Sequence, residues 1–212
     1  TVTVTSASDA PTASPATATV PEDGLVSGTV VVSDPDAGAS LTVEPRHDSP
    51  LWFEMDSDGN WTFDANQAEY QALAEGESQD VVIHYDVADA EGAYAYSTVT
   101  ITVTGANDAP VTTSQWAEAD EGGTATGTLL ALDQDNGAEL SFAVDGEAPA
   151  GFLLNPNGSW TFDGTNSAYD GLSNGEVRLI EVPFTVTDEH GATSSSFMTI
   201  ALTGSNDAPV HS

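Results

Sequence analysis

TITVTGANDAPV, residues Thr100 to Val111, joins two different kinds of sequence. Its first half alternates threonine with isoleucine and valine, the period-two pattern of a strand with one face in a core and the other in water. Its second half is a polar linker closed by proline, which fixes φ and limits the freedom of the chain. The phrase returns as TIALTGSNDAPV at Thr199 to Val210, and a worn copy, SASDAP, stands at Ser6 to Pro11. Asp9, Asp108 and Asp207 are spaced 99 residues apart. A fixed period of that length marks a tandem array, and the repeat must be settled before any local motif is read.

Sliding the chain by one period aligns two copies without a gap. GTVVVSDPDAG (Gly28–Gly38) falls on GTLLALDQDNG (Gly127–Gly137), and GNWTFD (Gly59–Asp64) on GSWTFD (Gly158–Asp163). Tyr70 falls on Tyr169, Gly76-Glu77 on Gly175-Glu176, and Asp89 with Gly92 on Asp188 with Gly191. The 212 residues thus divide into the last strand of a preceding repeat (1–7), one repeat (8–106), a second (107–205) and the start of the next linker (206–212). The opening TVTVT matches Thr100 to Thr104, so the array is expected to continue upstream, and the closing NDAPV points downstream. Each repeat is long enough to bury its own core.

Strand signals dominate both copies. Val81, Ile83, Tyr85 and Val87 point one way, as do Ile180, Val182, Phe184 and Val186 in the second copy, and Val99, Ile101 and Val103 form the inward face of the last strand. SDGN (Ser57–Asn60) and PNGS (Pro156–Ser159) supply the Asp-Gly and Asn-Gly of tight hairpins. AEYQALAEG (Ala68–Gly76) and its partner alone suggest a helical turn. About seven strands in a unit of this size predict an all-β fold, an antiparallel β-sandwich per repeat.

Charge narrows the partners. Thirty-four acids face two cations, Arg46 and Arg178, for a formal net charge of −32. Nucleic acid and anionic membrane are excluded as partners, because both are held by Lys and Arg. Self-repulsion of this size is relieved by polyvalent cations. The chain has no cysteine, which removes disulfides, thiolate zinc sites and thiol catalysis. No apolar run approaches the length of a membrane-spanning helix.

Most of the acids read as a solvated surface, but a minority recur in both copies at strand ends. These are Glu22 and Glu121 after an early strand, Asp34 and Asp36 with Asp133 and Asp135 in D-x-D-x-G turns, Glu77 and Glu176, and Asp89 and Asp188 in D-x-x-G turns. Asn107-Asp108 and Asn206-Asp207 form the linkers, with Asp9 in the worn copy. Hard oxygen ligands clustered on loops suit calcium, which takes about six to eight oxygens; magnesium retains more water and suits them less. Successive strand ends of a sandwich alternate between its poles, so the D-x-D-x-G and D-x-x-G turns should share the pole beside the preceding linker. The early Glu and the Gly-Glu pair should lie beside the following linker. One junction would then collect Glu22, Glu77, Asn107, Asp108, Asp133, Asp135 and Asp188. An upstream junction would use Asp9, Asp34, Asp36 and Asp89, and a downstream one Glu121, Glu176, Asn206 and Asp207. Ser8 stands where Asn107 stands in the next copy, and Arg178 falls close to Glu176. Both departures are expected to alter their junctions.

In order and spacing, G-x-W-T-F-D, Y-x-x-L-x-x-G-E (Tyr70–Glu77), D-x-x-G at Asp89 and the G-x-N-D-A-P-V endings resemble the VCBS-type, bacterial cadherin-like repeats that form extender domains of large repeats-in-toxin adhesins. The resemblance covers essentially the whole chain. It implies two tandem cadherin/Ig-like sandwiches joined by a short calcium-binding linker, in a secreted, cell-surface stalk. In such a stalk extracellular calcium locks the linkers and holds a distal binding domain away from the cell for adhesion and biofilm formation. The partners implied are calcium and neighbouring repeats, with the fragment monomeric and no enzyme activity. The alternative is a calcium-dependent glycan- or partner-binding module of the same adhesin, favoured by the unit-specific aromatics Trp52, Tyr94, Tyr96 and Trp116.

Other motifs are weaker. GLSNG (Gly171–Gly175) fits the hydrolase elbow, but it lacks the strand–turn–helix context, and Ala74 replaces Ser173 in the other copy. DSDGN (Asp56–Asn60) resembles the start of an EF-hand, but its Gly comes too early for one. Trp61, Phe63, Trp160 and Phe162 alternate and recur as core residues do. The four histidines do not repeat between the copies.

Overall fold

The computed structural model describes residues 8–206, which fall into two units divided between Ala106 and Asn107. The expectations for residues 1–7 and for Asp207 lie outside the described residues. In the first unit the strands are β1 (Thr12–Ala13), β2 (Ala16–Pro21), β3 (Leu25–Thr29), β4 (Val32–Ser33), β5 (Thr42–Pro45), β6 (Phe53–Met55), β7 (Asn60–Asp64), β8 (Ser78–Ala88) and β9 (Tyr94–Thr104). The second unit repeats them as β10 (Val111–Thr112), β11 (Gln115–Asp120), β12 (Thr124–Thr128), β13 (Ala131–Leu132), β14 (Ser141–Val144), β15 (Phe152–Leu154), β16 (Ser159–Asp163), β17 (Val177–Thr187) and β18 (Thr193–Thr203). No helix is assigned among the described residues; Ala68–Gly76 forms successive turns, with Tyr70 N–H on Gln67 C=O and Leu73 N–H on Tyr70 C=O.

Each unit packs a four-stranded sheet against a three-stranded one. The orders are β2-β9-β8-β5 with β3-β7-β6, and β11-β18-β17-β14 with β12-β16-β15. The pairings are antiparallel except β2 with β9 and β11 with β18, which are parallel. The exception has a topological cause. The chain enters each unit at one pole and leaves at the other, so the first long strand must run in the same direction as the last.

Alternation along the strands builds the core. Ile83, Tyr85, Val87, Val99, Ile101 and Val103 are buried in the first unit, and Val182, Phe184, Val186, Ile200 and Leu202 in the second. Trp61 stacks with Phe53 and Trp160 with Phe152, at centroid distances of 6.0 and 6.1 Å. Glycine is required where the indole presses on the facing strand: a Cβ on Gly28 or Gly127 would lie 2.5 or 2.6 Å from the Trp61 or Trp160 ring. The β6–β7 and β15–β16 hairpins turn on Gly59 and Gly158, with φ of 80° and 81°, the left-handed region that glycine enters without a Cβ clash.

Candidate metal centres

At the pole where the chain enters the first unit, the D-x-D-x-G turn is folded by its own carboxylates. Asp34 Oδ1 accepts the Asp36 N–H at 2.7 Å, and Asp36 Oδ2 accepts the Asp9 N–H at 2.8 Å. Asp89 Oδ1 accepts the Ala93 N–H at 2.8 Å and its Oδ2 accepts the Ser8 hydroxyl at 3.2 Å. The second unit repeats the arrangement. Asp133 Oδ1 takes the Asp135 N–H at 3.0 Å, Asp135 Oδ2 takes the Asp108 N–H at 3.0 Å, and the Asn107 amide donates to Asp188 Oδ2 at 2.9 Å. Asp188 Oδ1 accepts the N–H groups of His190 and Ala192, both at 2.9 Å. Ser8 therefore makes the contact that Asn107 makes, so the expected departure leaves the geometry of the turn intact.

The exit pole is built differently. Ladder bonds carry Glu22 and Glu121 to the strand ends, where their N–H groups reach Thr104 C=O at 3.0 Å and Thr203 C=O at 2.8 Å. Their carboxylates then hold the departing chain: Glu22 Oε1 accepts the Ala106 N–H and Glu121 Oε2 the Ser205 N–H, each at 2.7 Å. Both glutamates are buried. Glu77 and Glu176 are exposed, and each braces its own turn, through the Ala74 N–H at 3.2 Å and the Ser173 N–H at 3.0 Å. Asn206 is exposed. Arg178 lies over the Tyr169 ring, 5.6 Å from its centroid.

These contacts share one feature. One carboxylate oxygen is bound to a backbone N–H, which aims the group, while Asp34 Oδ2, Asp133 Oδ2, Asp135 Oδ1 and Glu121 Oε1 are buried with no hydrogen-bond partner among the described residues. A buried carboxylate oxygen without a donor is costly. Carboxylate oxygens of Asp108 and Asp135 approach within 4.8 Å of one another, while Arg46 is engaged by Asp86 at 2.7 Å. Burial, together with the charges of Asp133, Glu189 and Asp188, pushes the Asp135 carboxyl above its usual range, against the Asp108 N–H that draws it down. The Asn107 amide holds Asp188 below that range. An anionic, all-oxygen donor set oriented by backbone bonds, with oxygens left unpaired, fits a hard divalent cation. Sequence reasoning placed the acids but not the backbone donors. Nor did it single out Glu189, whose Oε2 takes the Glu139 N–H at 2.8 Å beside the same turn, because N–H groups carry no side-chain signature.

Two sandwiches in series, each with acids at its entry and exit poles, define a tandem of cadherin-like domains. Residues 8–105 match the family model of the bacterial cadherin-like domain, and residues 107–201 that of the bacterial Ig domain, a pairing consistent with the cadherin-like repeats of bacterial adhesins. Among solved structures, domains EC1-2 of human protocadherin-24 share 20% identity, covering 95% of this chain and 100% of that one, with a TM-score of 0.62. Mouse cadherin-23 EC22-24 shares 16%, covering 92% of this chain and 65% of its own, with a TM-score of 0.58. The human desmocollin-1 ectodomain shares 16%, covering 98% and 39%, with a TM-score of 0.51. At these identities the likeness speaks for the fold. No curated protein matches the chain. Domains of this kind are non-enzymatic structural modules typical of extracellular proteins, and no helix among the described residues is long and apolar enough to cross a membrane.

Proposed function

We propose that this chain is a stalk segment of a secreted bacterial surface adhesin of the repeats-in-toxin type, stiffened by calcium at its inter-repeat linkers, that carries a distal binding domain in adhesion and biofilm formation. The observation that carries the reading is the set of buried, unpaired carboxylate oxygens on Asp34, Asp133, Asp135 and Glu121, in turns that also hold linker backbone.

The residues of the chain do most of the work. Glu22 fixes Ala106 from the first repeat, while Asp188 and Asp135 fix Asn107 and Asp108 from the second. Three consecutive linker residues are thus tied to acidic poles, and Pro110, buried, limits the chain beyond them. Calcium bound at the poles would supply the positive charge that lets these carboxylates stand together. Asp133 and Asp135 would hold it through the oxygens that have no donor among the described residues, with Asp108, Asp188, Glu22 and Glu77 as the further proposed ligands. Without it, mutual repulsion loosens the turns and the linker swings. Extracellular calcium modules bind at about 10⁻⁴–10⁻³ M, so such sites fill outside a cell and stay empty within one. At ten times its dissociation constant each site adds about 1.4 kcal/mol to folded-state stability.

The test is a thermal melt in excess chelator, in millimolar calcium and in millimolar magnesium. The reading requires a large rise in melting temperature with calcium and little with magnesium. Superimposable melts in the three would reduce the acids to a solvating coat.

A further inference from the structure

The second unit carries a cleft that the first does not furnish in the same way. It opens between the edge strands β11 and β12 and has a volume of about 380 Å³, near the small end of the ~300–1,000 Å³ of ligand pockets. Each edge strand is laddered on one side only, so backbone N–H and C=O groups of alternate residues face the opening. Trp160 and Met198 line it from within, Trp116 and Glu118 stand on the β11 rim, and Thr126 and Thr128 on the β12 rim.

The repeat supplies its own control. One period earlier, the positions of Trp116, Glu118, Ala125 and Met198 are Thr17, Thr19, Val26 and Val99. Ala125 lacks the two methyl groups that Val26 packs against the first core. Trp116, 60% exposed, adds an aromatic wall, and Glu118 adds a carboxylate acceptor. The inner tryptophan is shared. In the first unit Trp61 Nε1 is buried with no hydrogen-bond partner among the described residues. In the second unit the equivalent Trp160 lines the cleft.

These groups select a ligand class. An indole N–H and strand-edge N–H groups need acceptors; Glu118 and strand-edge carbonyls need donors; Trp116 offers a flat apolar face. A chain of net charge −32 repels anions. An ammonium would satisfy Glu118 and stack on Trp116, but it has no acceptor for the indole N–H. A neutral ring with hydroxyls, each both donor and acceptor, meets all of these demands. We propose that the β11–β12 cleft of the second repeat is a saccharide-binding site, with Trp116 as its stacking wall and Trp160 as its inner hydrogen-bond donor.

Amide NMR spectra of the whole tandem in calcium, titrated separately with glucose, galactose, mannose, fucose and N-acetylglucosamine and with arginine as the cationic control, decide it. At least one sugar should shift the amides of residues 115–118 and 125–128 while leaving 16–19 and 26–29 unmoved. Trp116→Thr and Ala125→Val install the first repeat's own residues, so the fold is kept; each should weaken that sugar about tenfold or more. The proposal falls if no sugar moves these amides, if the shifts persist undiminished in both variants, or if arginine alone produces them.

Discussion

Replacing Asp135 by asparagine should change stability in opposite directions with and without calcium. Asp135 is 7% exposed, its Oδ2 accepts the Asp108 N–H at 3.0 Å, and its Oδ1 is buried without a partner among the described residues. Asparagine keeps the first contact through its amide oxygen. It also places an NH₂ donor where the unpaired oxygen stood, facing the negative charges of Asp133 and Asp188 that push Asp135 upward. In chelator the substitution therefore removes an unsatisfied buried group, a stabilisation of about 1 kcal/mol. For a domain of this size that is a rise of about 4–8 °C in Tm. In calcium the same change deletes an anionic ligand. Losing one site held at ten times its dissociation constant costs about 1.4 kcal/mol, which outweighs the gain of about 1 kcal/mol and leaves a net fall of about 0.4 kcal/mol, or about 2–3 °C. Scanning calorimetry of the tandem reads both values, and the transition of the first unit serves as an internal reference. A shift of the same sign in both media would refute the reasoning. Asp135 would then be neither a strained apo carboxylate nor a cation ligand.

Three further outcomes follow from the same geometry. Asn107→Ser should leave the Asp188 contact in place, as Ser8 does for Asp89, while Asn107→Ala should raise the Asp188 pKa, read from its side-chain carboxyl carbon by NMR. Gly127→Ala puts a methyl against the Trp160 ring and should lower stability by about 1–3 kcal/mol in a denaturant titration, since overpacking a filled core costs that much. The pH dependence in chelator has two limbs. Burial holds the Asp135 carboxyl above its unfolded value, so its ionisation costs stability at neutral pH, and stability should rise as pH falls from neutral towards the unfolded carboxyl value of about 4. Asp188 and Glu189 are held low, by the Asn107 amide and the Glu139 N–H, so their contribution is lost as pH falls further, below about 4. Calcium should reverse the upper limb, because protons then compete with the ion; melts across pH with and without calcium check both limbs.

The parts of this fold that were legible in sequence are those that repeat. A 99-residue period aligned strands, turns and acids at once, and strand alternation correctly assigned Ile83, Tyr85, Val87 and their counterparts to the core. Features carried by the backbone were not legible. That Glu22 and Glu121 would hold the N–H groups of Ala106 and Ser205 depends on where a strand ends in space, not on any residue type. The parallel β2–β9 and β11–β18 pairs come from entry and exit at opposite poles, which period-two patterning does not encode. Ala68–Gly76 carries helix-forming residues, yet it is too short to pay for helix nucleation and settles into turns. Trp160 looked like core and is core; that the same side chain also lines a cleft is not encoded in the alternation of its strand.

The central claim is that calcium holds successive repeats in a fixed relation, and it is tested most directly by a distance distribution. The chain has no cysteine, so Glu54→Cys and Leu153→Cys, both at exposed positions, place one spin label on each unit without side reactions. Double electron–electron resonance should give a broad distribution in chelator that collapses to a narrow one in millimolar calcium. A distribution of the same width in both would contradict the account, whatever calcium does to the stability of either unit.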